Sequence, residues 1–317
     1  MIRFGITKLE QLASELPRSD RRRPLSYALL GDFNENLSAQ DEDIIASICD
    51  SIPTGRHLEN RGRTFPNRYG PVDELIAEEI VNTFPSDHLV RIHDVAASNA
   101  ITSAELFQRL SDRGNVSVHA TDFLNQIYVV SVPFSTWRTI FDAEKRPLQF
   151  LADRFVISAS GREHHRFIVN WMLQKYLMRR ILPSARRILN QNAASDLGHV
   201  QTISVFHPKS IALGRKDPRF TLGRYDMFGP MSQTYDVIRV MSAFGFIGAD
   251  QVEQTAHMMC TGLVDSGLFV VGRNSGRETR EIPTTIFKRR GRRLIPVRDY
   301  CGGFVDRELL SKIELTT

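Results

Sequence analysis

Leu89-Val90-Arg91-Ile92-His93-Asp94-Val95-Ala96-Ala97-Ser98-Asn99-Ala100 is the stretch whose reading decides the fold. Residues 89–97 are a short apolar run that ends in small residues, the texture of a buried parallel strand. Residues 102–114 follow with helical spacing: Ala104, Leu106, Phe107 and Leu110 share a face, and Gly114 is a stop signal. Residues 116–123, Val-Ser-Val-His-Ala-Thr-Asp-Phe, return as a second strand. Strand, helix and strand in so little chain make a βαβ unit with a right-handed crossover.

The second half repeats this rhythm. Residues 199–206 and 234–244 are expected to be strands, 249–264 a helix and 266–273 a strand, with an antiparallel pair closing around Gly291. Upstream, residues 71–84 predict a helix with Pro71 at its start and Leu75, Ile76, Ile80 and Val81 on one face. The expected class is α/β: a doubly wound, mainly parallel sheet with a C-terminal antiparallel strand pair and a hairpin-plus-helix insertion. Residues 71–127 and 196–317 are expected to form that domain. Residues 1–70 are expected to be an N-terminal extension, partly helical or mobile. Residues 128–195 are expected to be the insertion, a β-hairpin and helices forming a lid or substrate subdomain.

The 317 residues are 42% hydrophobic and 24% charged, a globular profile. No apolar run is long enough to span a bilayer, and the first residues lack the apolar segment of a secretory signal. Cys49, Cys260 and Cys301 show neither a disulfide framework nor zinc spacing, so a reducing cytoplasm and no metal are expected. The net charge of +5 is patchy: Arg18 with Arg21–Arg23, Arg179–Arg180 with Arg186–Arg187, and Lys288–Arg290 with Arg292–Arg293. These read as solvated faces, with no spacing that points to nucleic acid.

Three motifs in order carry a resemblance. Ala96-Ala97-Ser98-Asn99-Ala100 follows the first strand, Ala120-Thr121-Asp122-Phe123 ends the second, and Asp236-Val237-Ile238-Arg239-Val240-Met241 opens a later one. Thr64-Phe65-Pro66-Asn67-Arg68 is a looser upstream echo. Together they resemble the class I S-adenosylmethionine-dependent methyltransferase family, a Rossmann-like fold, nearest to its chemotaxis-receptor glutamate methyltransferases. The likeness covers residues 60–127 and 199–300. It implies S-adenosyl-L-methionine as cofactor, with Asp94, Ala96, Ala97, Ser98 and Asn99 against its amino-acid portion. Asp122, with Phe123 beside it, would take the ribose hydroxyls. Asp226 would meet the adenine amino group, with Met227 along the ring. It also implies a small-molecule or protein substrate, with a carboxylate oxygen as one candidate acceptor and Arg68, Tyr69 and Arg239 as candidate substrate contacts.

Alternatives stand beside these roles. Ala96, Ser98 and Ala100 occupy positions where the family carries glycine for its positive-φ freedom, so a catalytically silent binding or scaffolding protein of the same fold is the rival. Asp94 could instead cap a helix, and Asp226 could be a turn residue. Arg239, within an apolar strand, either anchors a carboxylate substrate or pairs internally. His164-His165, His207 and His257 read as structural or surface histidines. The helical stretch within 164–187 has Asn170, Gln174 and Lys175 as a narrow polar stripe and apolar residues elsewhere. Burial over its own domain is expected, with an interfacial helix at a membrane or a substrate lid as alternatives. Sequence gives no oligomeric state.

Overall fold

The computed structural model describes residues 5–11, 24–53, 64–112, 114–160, 168–191, 200–273 and 281–315. In chain order its elements are α1 (Ala39–Ser51), α2 (Gly70–Thr83), β1 (Val90–Val95), α3 (Ile101–Ser111), β2 (Val116–Asp122), β3 (Gln126–Ser131) and β4 (Arg138–Asp142). Then come β5 (Pro147–Ala152), β6 (Phe155–Ser158), α4 (Ile168–Arg180), α5 (Leu182–Asn190), β7 (Val200–Ser204), α6 (Pro208–Lys216), β8 (Phe220–Arg224) and β9 (Tyr235–Met241). The chain closes with α7 (Ala249–Thr261), β10 (Leu263–Gly272), β11 (Thr284–Arg290), β12 (Arg293–Tyr300) and α8 (Arg307–Ser311). The elements divide between two units: residues 1–59 with 126–205, and residues 60–125 with 206–317.

In the second unit the strands form one sheet in the order β12-β11-β10-β9-β1-β2-β8. The five strands from β8 to β10 are parallel, and β11 and β12 close the edge as an antiparallel pair. Alternation along the strands feeds two cores. Leu268 and Val270 join Ile92 and Val237 against Ile76 of α2 and Phe107 of α3. Phe269 and Val271 join Val95 and Ile238 against Val252 and Met259 of α7. Helices therefore cover both faces, which is the doubly wound architecture. From β1 the chain works outward through β2 to β8, then returns to β9 on the other side of β1. The carboxyl ends of β1 and β9 thus form the switch point where such sheets leave a crevice. Asp236 fixes the opposite end of this pair by accepting from the Arg91 backbone N–H at 2.8 Å.

Three details around this sheet differ from the sequence-based expectation. The buried stripe of α2 runs through Val72, Ile76 and Ala77, and Val81 lies exposed. Strand β8 and helix α6 were not expected; β8 alternates weakly, is interrupted by Gly223 and forms an exposed sheet edge, where burial leaves little pattern to read. Residues 199–206 were expected in the parallel sheet. Instead β7 pairs antiparallel with β3 in the other unit.

That first unit holds a five-stranded antiparallel sheet in the order β6-β5-β4-β3-β7. The expected hairpin is thus a four-strand meander, β3 to β6, with β7 added at its edge. One face packs against α4 and α5 through Val130, Phe141, Phe150, Ile157, Leu177 and Ala185. The other receives the N-terminal residues that were expected to be an extension. Gln149 accepts from the Tyr27 backbone N–H at 3.0 Å and donates to the Leu25 carbonyl at 2.9 Å. Leu29, Ile45 and Ile48 are buried. Helix α1 starts with a capping box, in which Ser38 Oγ accepts from Asp41 N–H and Asp41 accepts from Ser38 N–H. The cluster of Arg18 with Arg21–Arg23 and the His164-His165 pair lie outside the described residues.

Helix α4 reverses its expected orientation. Asn170 and Gln174 of the polar stripe face inward with Leu177, while Ile168, Val169, Trp171, Met172 and Tyr176 are exposed. Gln174 sets this rotation: its amide donates to the Ser158 and Ala159 carbonyls, at 3.0 and 3.1 Å, where β6 ends. A buried carbonyl pair without a donor is costly, so a two-pronged amide outweighs a slightly greasier contact.

Candidate functional site at the carboxyl edge of the parallel sheet

Strand β1 ends at Val95, and the chain then bends through Ala96, Ser98 and Ala100 with φ of 56°, 56° and 60°. These are left-handed values, which place a Cβ against the backbone and cost about 1–2 kcal/mol for a non-glycine residue. The bend is held from all sides. Ala97 N–H donates to the Thr121 carbonyl at 2.9 Å, and Ala100 N–H donates to the Ala97 carbonyl at 2.9 Å. From α6, His207 N–H donates to the Asn99 carbonyl at 2.7 Å and Ser210 Oγ to the Ala100 carbonyl at 3.0 Å. Asn99 Oδ1 accepts from Ile101 N–H as α3 begins. Backbone strain of this kind persists only where surrounding contacts over-determine it. The bend is therefore made here without glycine.

Asp122 ends the neighbouring strand β2 and is bound into the same bend. Its Oδ2 accepts from Ser98 N–H at 2.8 Å and its Oδ1 from Leu124 N–H at 2.9 Å. Both bonds orient a carboxylate at the sheet's carboxyl edge. Phe123 follows, its ring centroid 5.0 Å from the Arg224 guanidinium at the end of β8. The segment leaving β8 forms a tight turn: Asp226 accepts from Phe228 N–H through its side chain and from Gly229 N–H through its carbonyl. Met227 and Ala96 pack against one apolar cluster. The expected cofactor residues Ala96–Asn99, Asp122 and Phe123 thus meet at one edge, with Asp226 and Met227 on the adjoining turn.

Asp94 and Arg239 are bound to each other instead, which is the internal pairing that was one of the two readings of Arg239. Arg239 is fully buried and clamps Asp94 with two bonds, Nε to Oδ1 at 2.9 Å and Nη2 to Oδ2 at 2.5 Å. Its Nη1 donates to Asp73 Oδ1 at 2.6 Å, and Ser103 Oγ donates to Asp94 at 2.5 Å. The guanidinium and the Asp94 carboxylate are spent on one another below the edge. One cation serves two buried carboxylates, so burial pushes Asp73 up to about 7 despite Arg239. Burial opposes the Arg239 charge, yet Asp94 and Asp73 together hold its affinity for the proton above the ordinary value.

Arg68 and Tyr69, the other candidate substrate contacts, are buried. The Arg68 guanidinium lies 5.4 Å from the Tyr69 ring. Tyr69 does reach the edge, with its hydroxyl 3.5 Å from Ser242 Oγ. Ser242, one residue past β9, is itself left-handed at φ 68° and was not singled out from sequence. The available signal was a small residue directly after a parallel strand, as at Ala96.

A second missed group lies under the bend. His93 of β1 stacks on His119 of β2 with centroids 5.1 Å apart and planes 11° from parallel. His93 Nε2 bonds Thr121 Oγ1 at 2.8 Å, and His119 Nδ1 bonds the Tyr235 hydroxyl at 3.0 Å. Burial, and then the neighbouring His119, push His93 down to about 3, so both rings are neutral supports. His207 caps α6 by accepting from Lys209 N–H at 3.2 Å.

No protein-family profile matches the chain, and no curated protein matches its sequence. Among solved structures, it is similar to the amino pentose methyltransferase CalS10 of Micromonospora echinaspora, bound to S-adenosylmethionine, at 11% identity and a TM-score of 0.31. That match covers 71% of this chain and 66% of CalS10. A TehB-like S-adenosylmethionine-dependent methyltransferase of Corynebacterium glutamicum matches at 14% identity and a TM-score of 0.29, over 64% of either chain. Phosphoethanolamine N-methyltransferase 1 of Haemonchus contortus matches at 9% and 0.32, over 75% of this chain and 33% of its own. In all three, the match spans less than two thirds of the other protein's length. The matched proteins are S-adenosylmethionine-dependent methyltransferases.

Proposed function

We propose that the second unit binds S-adenosyl-L-methionine and transfers its methyl group to a small-molecule or protein nucleophile. One observation carries this reading: a left-handed bend at the topological switch point, tied through Ser98 N–H to a carboxylate at the end of the next strand. The donor set fits the cofactor. The small side chains of Ala96, Ala97 and Ala100 let backbone approach the amino-acid portion, and Asp122 can accept from a ribose diol. The Asp226 carboxylate and Met227 suit an amino-bearing ring. When bound, the cofactor supplies an electrophilic sulfonium methyl. The chain's own task is to position the acceptor in line and exclude water from it. A carboxylate acceptor, which the resemblance to glutamate methyltransferases favours, is already ionised near neutral pH and needs no base. Because the bend forms without glycine, the glycine-poor motif is no argument for a silent protein.

Calorimetric titration with S-adenosylmethionine and S-adenosylhomocysteine tests this. The parent protein should bind both. Asp122→Ala should weaken binding by about 10- to 100-fold, the worth of charge-assisted hydrogen bonds of roughly 1.5–3 kcal/mol. Unchanged affinity in a folded Asp122→Ala protein, or no binding by the parent, overturns the assignment.

A further inference from the structure

We propose that the outward face of α4 docks on an anionic lipid surface. Ile168 is 74% exposed and Met172 59%, and Val169, Trp171 and Tyr176 lie open beside them. At helical spacing, Ile168, Met172, Lys175 and Arg179 fall on the middle of this face, with Trp171 and Tyr176 on its flanks. Exposed aliphatic side chains gathered on one helix are not ordinary solvent-facing composition. The rotation that exposes them is built in, because Gln174 is bonded to the β6 carbonyls and Leu177 is wholly buried on the opposite side.

Charge selects the occupant. From Ile168 to Asn190 the chain carries Lys175, Arg179, Arg180, Arg186 and Arg187 and no acidic residue. All five cations are exposed. A second copy of this chain would set cation against cation across a symmetric contact. A nucleic acid would meet the cations and could stack on Trp171 and Tyr176, yet it has no use for Ile168, Val169 and Met172. An anionic bilayer satisfies every group. Aliphatic side chains enter the acyl boundary, Trp171 and Tyr176 sit at headgroup depth, and the long basic side chains reach lipid phosphates. The helix lies in the plane of the surface, since none among the described residues is long and apolar enough to cross a membrane.

The test is co-sedimentation of the full chain with vesicles of phosphatidylcholine alone or with 30% phosphatidylglycerol, the composition being roughly that of an anionic leaflet. Binding should require the anionic lipid and should fade between 0.1 and about 1 M salt, as the screening length falls from roughly 10 to 3 Å. Met172→Asp should lower partitioning about tenfold or more. The combined variant Lys175→Gln, Arg179→Gln, Arg180→Gln should lower it on the order of 100-fold, at roughly fivefold per cation. Both variants alter exposed side chains and should melt with the parent. Brominated lipid should quench tryptophan emission in the parent and much less in Trp171→Phe, which retains Trp137. Absence of vesicle binding, binding indifferent to these variants, a dimer that Met172→Asp dissolves, or retention by single-stranded oligonucleotide in place of vesicles would each overturn the proposal.

Discussion

Replacing Arg239 with Met asks whether that guanidinium is a substrate anchor or an internal tie. The side chain is wholly enclosed and makes bonds of 2.9, 2.5 and 2.6 Å to Asp94 and Asp73. Met fills similar volume and leaves two buried carboxylates without a cation. Breaking one side of a buried ion pair costs about 3–5 kcal/mol. For a unit of roughly 150–250 residues each kcal/mol moves the midpoint by about 2–4 °C, so the melting temperature should drop by about 6–20 °C. The deficit should also depend on pH. Without the cation, which opposes the effect of burial on Asp73, that carboxyl titrates still higher above its unfolded value, so the folded state holds more protons and loses stability as pH rises. The loss should be smaller at pH 5 than at pH 8. Thermal unfolding followed by circular dichroism at both pH values measures it. A variant that melts within about 2 °C of the parent at pH 8, or whose deficit is flat with pH, would refute the buried-triad account and return Arg239 to the list of substrate contacts.

Asp73→Asn should remove a slope that the parent shows. Asp73 is pushed up to about 7 in the fold, so its contribution is full below about pH 4 and is lost as pH rises through 7. Melting curves from pH 5 to 8 should flatten by on the order of 1 kcal/mol per pH unit, and an unaltered slope counts against it. His93, pushed down to about 3 by burial and His119, has the opposite sign: stability is full above about 6.5 and falls as pH drops toward 3. His93→Phe should therefore lose less stability than the parent between pH 7 and 5, by about 2 kcal/mol, as chemical denaturation at the two pH values would reveal. Ser98→Gly, at φ 56°, should gain about 0.5–1 kcal/mol, because strain relief exceeds the added chain entropy. A measured loss would mean that the serine side chain, not only its backbone, holds the bend.

Local pattern was enough to read much of the second unit. An apolar run ending in small residues marked β1, and the strand–helix–strand rhythm around it placed β2, β9 and β10. Asp122 was legible for the same reason: a carboxylate one strand–helix–strand unit after a small-residue bend must emerge at the same sheet edge, whatever else the chain does. The antiparallel closure around Gly291 was written in its own turn chemistry.

Sequence by itself could say which residues of α4 share a side, but not which side faces in. That choice was made by the Ser158 and Ala159 carbonyls, which needed the Gln174 amide. Strand β7 was visible as a strand, yet its partner was a matter of which edge stood open, and β3 offered one. Arg239 was recognisably in need of an anion, but Asp73 comes from a helix far away in sequence and only packing brings it to 2.6 Å. Ala96, Ser98 and Ala100 gave the least away. Their composition argued against a left-handed bend, and it took Thr121, Asp122, His207 and Ser210, drawn from two other segments, to force one. Periodicity and turn chemistry are set by near neighbours along the chain, whereas partner, facing and strain are settled by groups that meet only after folding.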